Sequence, residues 1–138
     1  ISFPNPDDHM ILPETISKEP LGPAVRQGDS QWANLVKWSL FAMINAEELG
    51  ITSTNVDDMR ANSKNVAVRR MLGVEGNINE GLKLSKDWAY NIIKQVGNYG
   101  ENYEKYIGSG KGALGIQREG TLNALWTKGG LMYSPPMR

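Results

Sequence analysis

The alternation of apolar and polar positions predicts a chain that is helical after an extended start. Between Ser30 and Leu49, Leu35, Val36, Trp38, Leu40, Phe41, Met43 and Ile44 cover most of a helical circumference. A helix apolar on nearly every side is buried on more than one flank. Asp29 or Ser30 offers an N-cap and Gly50 a C′ residue, so the pattern predicts a helix over 30–49. "TSTNVDDM" repeats the start signal, with Thr54 and Asp57 at capping-box-like spacing, and opens a short helix to about Ala61. "NVAVRRML" gives another, stopped by Gly73. Ser85 caps "KDWAYNIIKQV", where Trp88, Ile92 and Val96 form one stripe and Gly97 ends the helix. "YGENYEKY" continues helically with Tyr99, Tyr103 and Tyr106 on one side, and "REGTLNALW" predicts a last helix closed by Gly129 and Gly130.

Strand signals are few. "HMIL" (9–12) and "LMYSPP" (131–136) are short candidates, the second stopped by Pro135 and Pro136. In "EPLGPAVRQGD" (19–29), Pro23 fixes its own φ and biases Gly22 away from helix, while Leu21, Ala24 and Val25 suit a strand. A strand needs neighbours for its backbone hydrogen bonds, and hardly any are in view. The expected fold class is therefore predominantly α with a few short β-strands.

Composition removes more chemistry than it adds. Fifteen basic and fifteen acidic side chains cancel, which argues against a nucleic-acid partner. The longest apolar run, 35–44, is broken by Lys37 and too short to cross a bilayer. No cysteine is present, so disulfides, thiolate metal sites and a cysteine nucleophile are excluded. His9 is the single histidine, which excludes zinc sites with several imidazoles. The first residue is Ile1 and not Met, which reads as a processed, trimmed or excised chain.

The remaining motifs fail on context. Gly110, Gly112 and Gly115 match G-x-G-x-x-G, but a tyrosine helix precedes them where the dinucleotide fingerprint needs a strand, so a flexible loop is expected. Lys111 is followed by no serine or threonine, which fails the P-loop pattern. Tyr90 and Lys94 share the i, i+4 spacing of some dehydrogenases but lack a nucleotide-binding sheet, so Lys94 is expected on a solvated polar face. Trp88, Tyr90, Tyr99, Tyr103 and Tyr106 suit core or interface better than a stacking platform. Asp7, Asp8 and His9 are adjacent and cannot complete a metal's coordination sphere. Glu47 and Glu48 diverge on their helix, at the negative end of its dipole, and are expected to face solvent or a partner. Arg26 offers a carboxylate clamp but suits a surface pair better. Nothing in sequence joins Asp7, Glu14 and Asp57 into an acid–base pair. The expectation is no enzyme, no metal and no cofactor.

"ILPETISKEPLGPAVRQGDSQW", "AEELGITSTNVD", "VRRMLGVEG", "DWAYNIIKQVGNYGENYE" and "LNALWTKGGLMYSPPMR" together resemble the C-terminal part of the periplasmic general (polar) L-amino-acid-binding proteins of ATP-driven importers. "VGNYGE" and "GGLMYSPPMR" are the most specific of these, and "GSGKGALGIQREG" the least. The resemblance implies a type II periplasmic-binding α/β fold of two lobes around a ligand cleft. It implies that residues 1–18 end lobe 2 and form a connector, and that 19–138 return through the hinge and complete the helical part of lobe 1. Pro20 and Gly22 are then hinge-adjacent, on restricted and permissive φ respectively. The groups anchoring the ligand lie upstream, so no ligand-binding residue is assigned. The implied partners are an L-amino acid and the membrane permease, in the periplasm. A strand-mediated homodimer is expected if the chain stands alone. The rival reading is a stand-alone helical interaction module without transport function.

Overall fold

The computed structural model describes residues 4, 5, 8–10, 12, 14, 16, 17 and 19–137. Its helices are α1 (Ser30–Glu48), α2 (Val56–Asn62), α3 (Val66–Met71), α4 (Trp88–Val96) and α5 (Tyr99–Tyr106), with 3₁₀ turns at Glu80–Leu82 and Trp126–Lys128. Asp29 caps α1 by accepting from the Trp32 N–H at 2.9 Å. At its other end the Ile51 N–H reaches back to Ala46 O at 2.8 Å and the Gly50 N–H to Glu47 O at 3.1 Å. Gly50 adopts φ +69°, so the two carbonyls are satisfied in a Schellman turn. Gly73 ends α3 the same way, with Val74 N–H on Arg69 O at 2.9 Å.

The core forms where α1 meets α4 and α5, and where α2 meets α3 and α4. Ala42, Ala46 and Ala89 are wholly buried there, and their small side chains let the helix backbones approach. Ile51, Val56, Val68, Met71, Leu72 and Ile93 fill the space around them. Each aliphatic side chain so buried contributes about 1.5–3 kcal/mol. Met137, from the far end of the chain, closes the same cluster. The opposite side of α1 is different. Val36, Leu40 and Phe41 there stay only partly buried and outside the core cluster, although Ile44 on that side is buried.

Several expectations need correction. Among the described residues no β-ladder forms, and a single parallel bridge joins Leu125 to Met132. Residues 19–26 carry no strand, and Leu21 is 94% exposed, because no neighbouring strand receives its hydrogen bonds. His9, Met10 and Leu12 are likewise outside any strand, while Ile11 lies outside the described residues. The terminal strand is reduced to Met132 of that bridge. "REGTLNALW" is a series of turns and not a helix. A Cβ at Gly130 would strike the Ala124 backbone, so the chain doubles back here in a bend that a helix would not permit.

The caps also shift. Asn55, not Thr54, precedes α2, its side chain accepting from the Thr52 N–H at 2.7 Å and donating to Gly50 O at 2.9 Å. Asp87, not Ser85, precedes α4, and hydrogen bonding from Ser85 lowers the Asp87 pKa. The buried side of α4 is Trp88, Ala89 and Ile93, so the predicted stripe is rotated and Val96 lies outside, 54% exposed. Gly97, at φ +85°, breaks α4 from α5. A new capping box, Asn98 with Glu101, then starts α5.

Candidate functional site

Two assemblies of polar side chains and one bare surface are the candidate features. The first assembly ties α2 to α4. Asp57 accepts from the Tyr90 hydroxyl at 2.8 Å and pairs with Lys94 Nζ at 2.5 Å. The Arg60 guanidinium lies 4.5 Å from the Tyr90 ring centroid. The hydrogen bond from Lys94, then that from Tyr90, lowers the Asp57 pKa. The same bonds raise those of Lys94 and Tyr90. Lys94 is thus ion-paired, not merely solvated. It holds no phenolate, since a tyrosine pushed upward is a poor general base at neutral pH.

The second assembly is centred on Arg118, a residue the sequence patterns did not single out. Its Nη1 donates to Glu47 Oε1 at 2.5 Å, and its Nε donates to Asn123 O at 2.6 Å. The guanidinium sits 4.9 Å from the Tyr99 ring centroid and 5.5 Å from that of Tyr103. The side chains of Arg118 and Glu47 are only 10% and 15% exposed. Glu47, expected to face solvent or a partner, is instead an inward anchor for the segment after α5, bound to Arg118 of the same chain. A cavity of about 400 Å³ adjoins this pair, with Glu104, Glu119 and Lys128 also on its wall. Nearby, Glu101 accepts from the Ser53 hydroxyl at 2.6 Å and the Asn98 N–H at 2.8 Å. Asn98 in turn donates to Ile51 O at 2.8 Å. These bonds fix α5 to the turn after α1.

The other sequence candidates do not converge. Trp88 is in the core, Tyr90 belongs to the α2–α4 tie, and Tyr106 lies exposed beneath Lys105. Residues 110–115 form a loop with no helix after it, where Ser109 bonds Glu104 and lowers its pKa. Asp7 lies outside the described residues, and no group of three or more metal-ligating side chains occurs among the described ones. Glu14 is exposed, and Asp57 is occupied by Tyr90 and Lys94. Arg26 is exposed and makes no ion pair among the described residues. Pro20 and Gly22 lie in the exposed, unladdered lead-in, and a Cβ at Gly22 would meet nothing within 4 Å. No described helix is long and apolar enough to cross a membrane.

The bare surface is the lead-in 19–27 together with the uncovered side of α1. Extended chain and half-buried Val36, Leu40 and Phe41 are what a sheet layer would cover.

Comparison with known proteins gives these features a setting. No protein-family model matches the chain. It is 57% identical over its whole length to a general L-amino acid-binding periplasmic protein of Rhizobium johnstonii. It is 48% identical, over 99% of its length, to a glutamate/glutamine/aspartate/asparagine-binding protein of Rhodobacter capsulatus. The chain spans about 40% of the length of each. A solved ABC transporter/periplasmic binding protein from Brucella ovis, with glutathione bound, superposes with TM-score 0.87 at 55% identity. That match covers 97% of this chain and 41% of the other.

Proposed function

Because the chain is homologous along its whole length to the periplasmic amino-acid-binding proteins of ABC transporters, we propose that it is the C-terminal portion of such a carrier. The parent takes up an L-amino acid, or a small peptide-like solute such as the glutathione held by the Brucella relative. It delivers the solute to a membrane permease from the periplasm. It does so by binding and lobe closure, a hinge-type switch, and without catalysis. Its fold is the two-lobed type II α/β arrangement, with residues 1–18 ending lobe 2 and 19–138 re-entering lobe 1. Pro20 and Gly22 flank the hinge. Segment 19–29 adds a strand to the lobe-1 sheet, and α1 lays its uncovered side on that sheet. The ligand-anchoring groups come from the upstream part.

The observation that carries this reading is identity of 48–57% covering 99–100% of the chain, the lead-in and the tail included. The unladdered lead-in beside a half-covered apolar helix agrees with it.

The test is a chimera in which this chain replaces the corresponding stretch of the Rhizobium johnstonii relative. Calorimetric titration with a panel of L-amino acids and glutathione is expected to show saturable binding. A folded chimera that binds none of them, when the relative itself does, overturns the proposal.

A further inference from the structure

The segment after α5 makes its hydrogen bonds almost entirely with itself. The Thr121 N–H donates to Arg118 O at 3.2 Å, the Ala124 N–H to Thr121 O at 3.1 Å and the Lys128 N–H to Leu125 O at 2.8 Å. Three further bonds pin its two halves together. The Trp126 N–H donates to Met132 O at 3.0 Å, the Leu131 N–H to Leu122 O at 2.8 Å and the Met132 N–H to Ala124 O at 3.1 Å. The Trp126 and Tyr133 rings meet edge to face at 6.2 Å, and Gly130 lies against the Ala124 backbone. Among the described residues, no backbone hydrogen bond joins 118–137 to the rest of the chain.

Its ties to the helical body are few and lie at its two ends. Among the described residues, the one hydrogen bond that crosses between them runs from Arg118 to Glu47, and the same guanidinium lies over the rings of Tyr99 and Tyr103. At the other end, Met137 is the one residue of the segment within the core cluster. Between these ends Ala124 and Leu125 are buried but outside that cluster, while Leu122, Trp126, Leu131 and Tyr133 are half-exposed or more. The helices, by contrast, share Ala42, Ala46, Ala89 and Ile93 in one cluster. A unit with local hydrogen bonds and few buried contacts to its surroundings opens at a lower free energy than the core it rests on.

We infer that segment 118–137 is a strap, latched by Arg118 and plugged by Met137, which opens as a unit while α1 to α5 stay packed. Once released it unravels, because a short hairpin-like stretch is only marginally stable alone in water. Opening also withdraws Pro136 and Met137 from the wall they share with Trp38, Leu82 and Trp88, and so uncovers a largely apolar cavity of about 310 Å³. The motion needs neither a solute nor the upstream part of the proposed carrier.

Native-state hydrogen exchange of this chain, read by mass spectrometry, tests the strap. The Trp126, Leu131 and Met132 amides are expected to show protection about tenfold or more below that of α1 and α4. Ile93→Val weakens the helical body, which the open and closed forms share. It is expected to speed exchange in α1 and α4 by about two- to tenfold and to leave the strap amides unchanged. Arg118→Ala is expected to speed the strap amides by about 100-fold or more, as loss of one member of a largely buried pair does. Strap amides as protected as the helices, and accelerated with them by Ile93→Val, overturn the strap, since the segment then opens only when the whole chain unfolds. Strap amides indifferent to Arg118→Ala overturn the latch. Neither result depends on whether the chimera binds a solute.

Discussion

Arg118 shows how one residue acquires a role that its neighbours in sequence do not announce. Its carboxylate partner is 71 positions away, and no helical or strand period links them. Only the folded chain brings the guanidinium between Glu47 and the rings of Tyr99 and Tyr103. Removing one member of a largely buried pair strands the other, at about 3–5 kcal/mol. Glu47→Ala and Arg118→Ala are each expected to lower the urea midpoint accordingly, with unchanged m-value. Arg118→Lys is expected to recover little of that loss, because a lysine supplies neither the planar stack nor the second directed donor. Gly73 is the other sensitive position. It holds φ +73°, and a Cβ there would meet the Lys86 carbonyl. Gly73→Ala is expected to cost about 2 kcal/mol or more by the same measurement.

At the scale of elements, α1, α3, α4 and α5 are legible because each has a local start or stop, whereas α2 has no side-chain cap. Asp29, Asn65 and Asn98 each accept a hydrogen bond from the first turn of their helix, and Gly50, Gly73 and Gly97 end theirs. The supposed last helix was not legible, since the Gly130 bend and the pull of Arg118 on Asn123 are tertiary facts. The expected strands do not form for a related reason: extended propensity is local, but a ladder needs a neighbour. The α2–α4 tie yields a pH prediction. Asp57 has a lowered pKa when folded, so its contribution is present above the unfolded value near 3.9 and fades as pH falls below it. Lys94 and Tyr90 have raised values, so theirs is present below about pH 10 and fades above it. The stability difference between the parent chain and Asp57→Asn is expected to be flat between pH 6 and 8 and to shrink at both extremes. Denaturant melts across that range measure it.

For the molecule as a whole, the main contrast is between a closed core of alanines, aliphatics and Trp88 and the large apolar groups left to solvent, many of them in the lead-in and in the segment after α5. The family resemblance in "VGNYGE" and "GGLMYSPPMR" was open to reading from sequence, but the side of α1 that stays bare was not. Helical period showed only that both flanks of α1 are apolar. Which flank the chain itself covers depends on how α4 and α5 turn back on it. The isolated chain is accordingly expected to bind a hydrophobic dye such as ANS, and the chimera several-fold less per molecule. Equal dye binding in the two would count against any covering of that side.

The four tryptophans happen to divide between these environments. Trp88 is 6% exposed in the core, whereas Trp126 sits half-exposed in the segment after α5. The protein therefore carries its own pair of optical reporters. With the other indoles replaced, emission from Trp88 follows unfolding of the core, and emission from Trp126 follows the solvent-facing segment after α5.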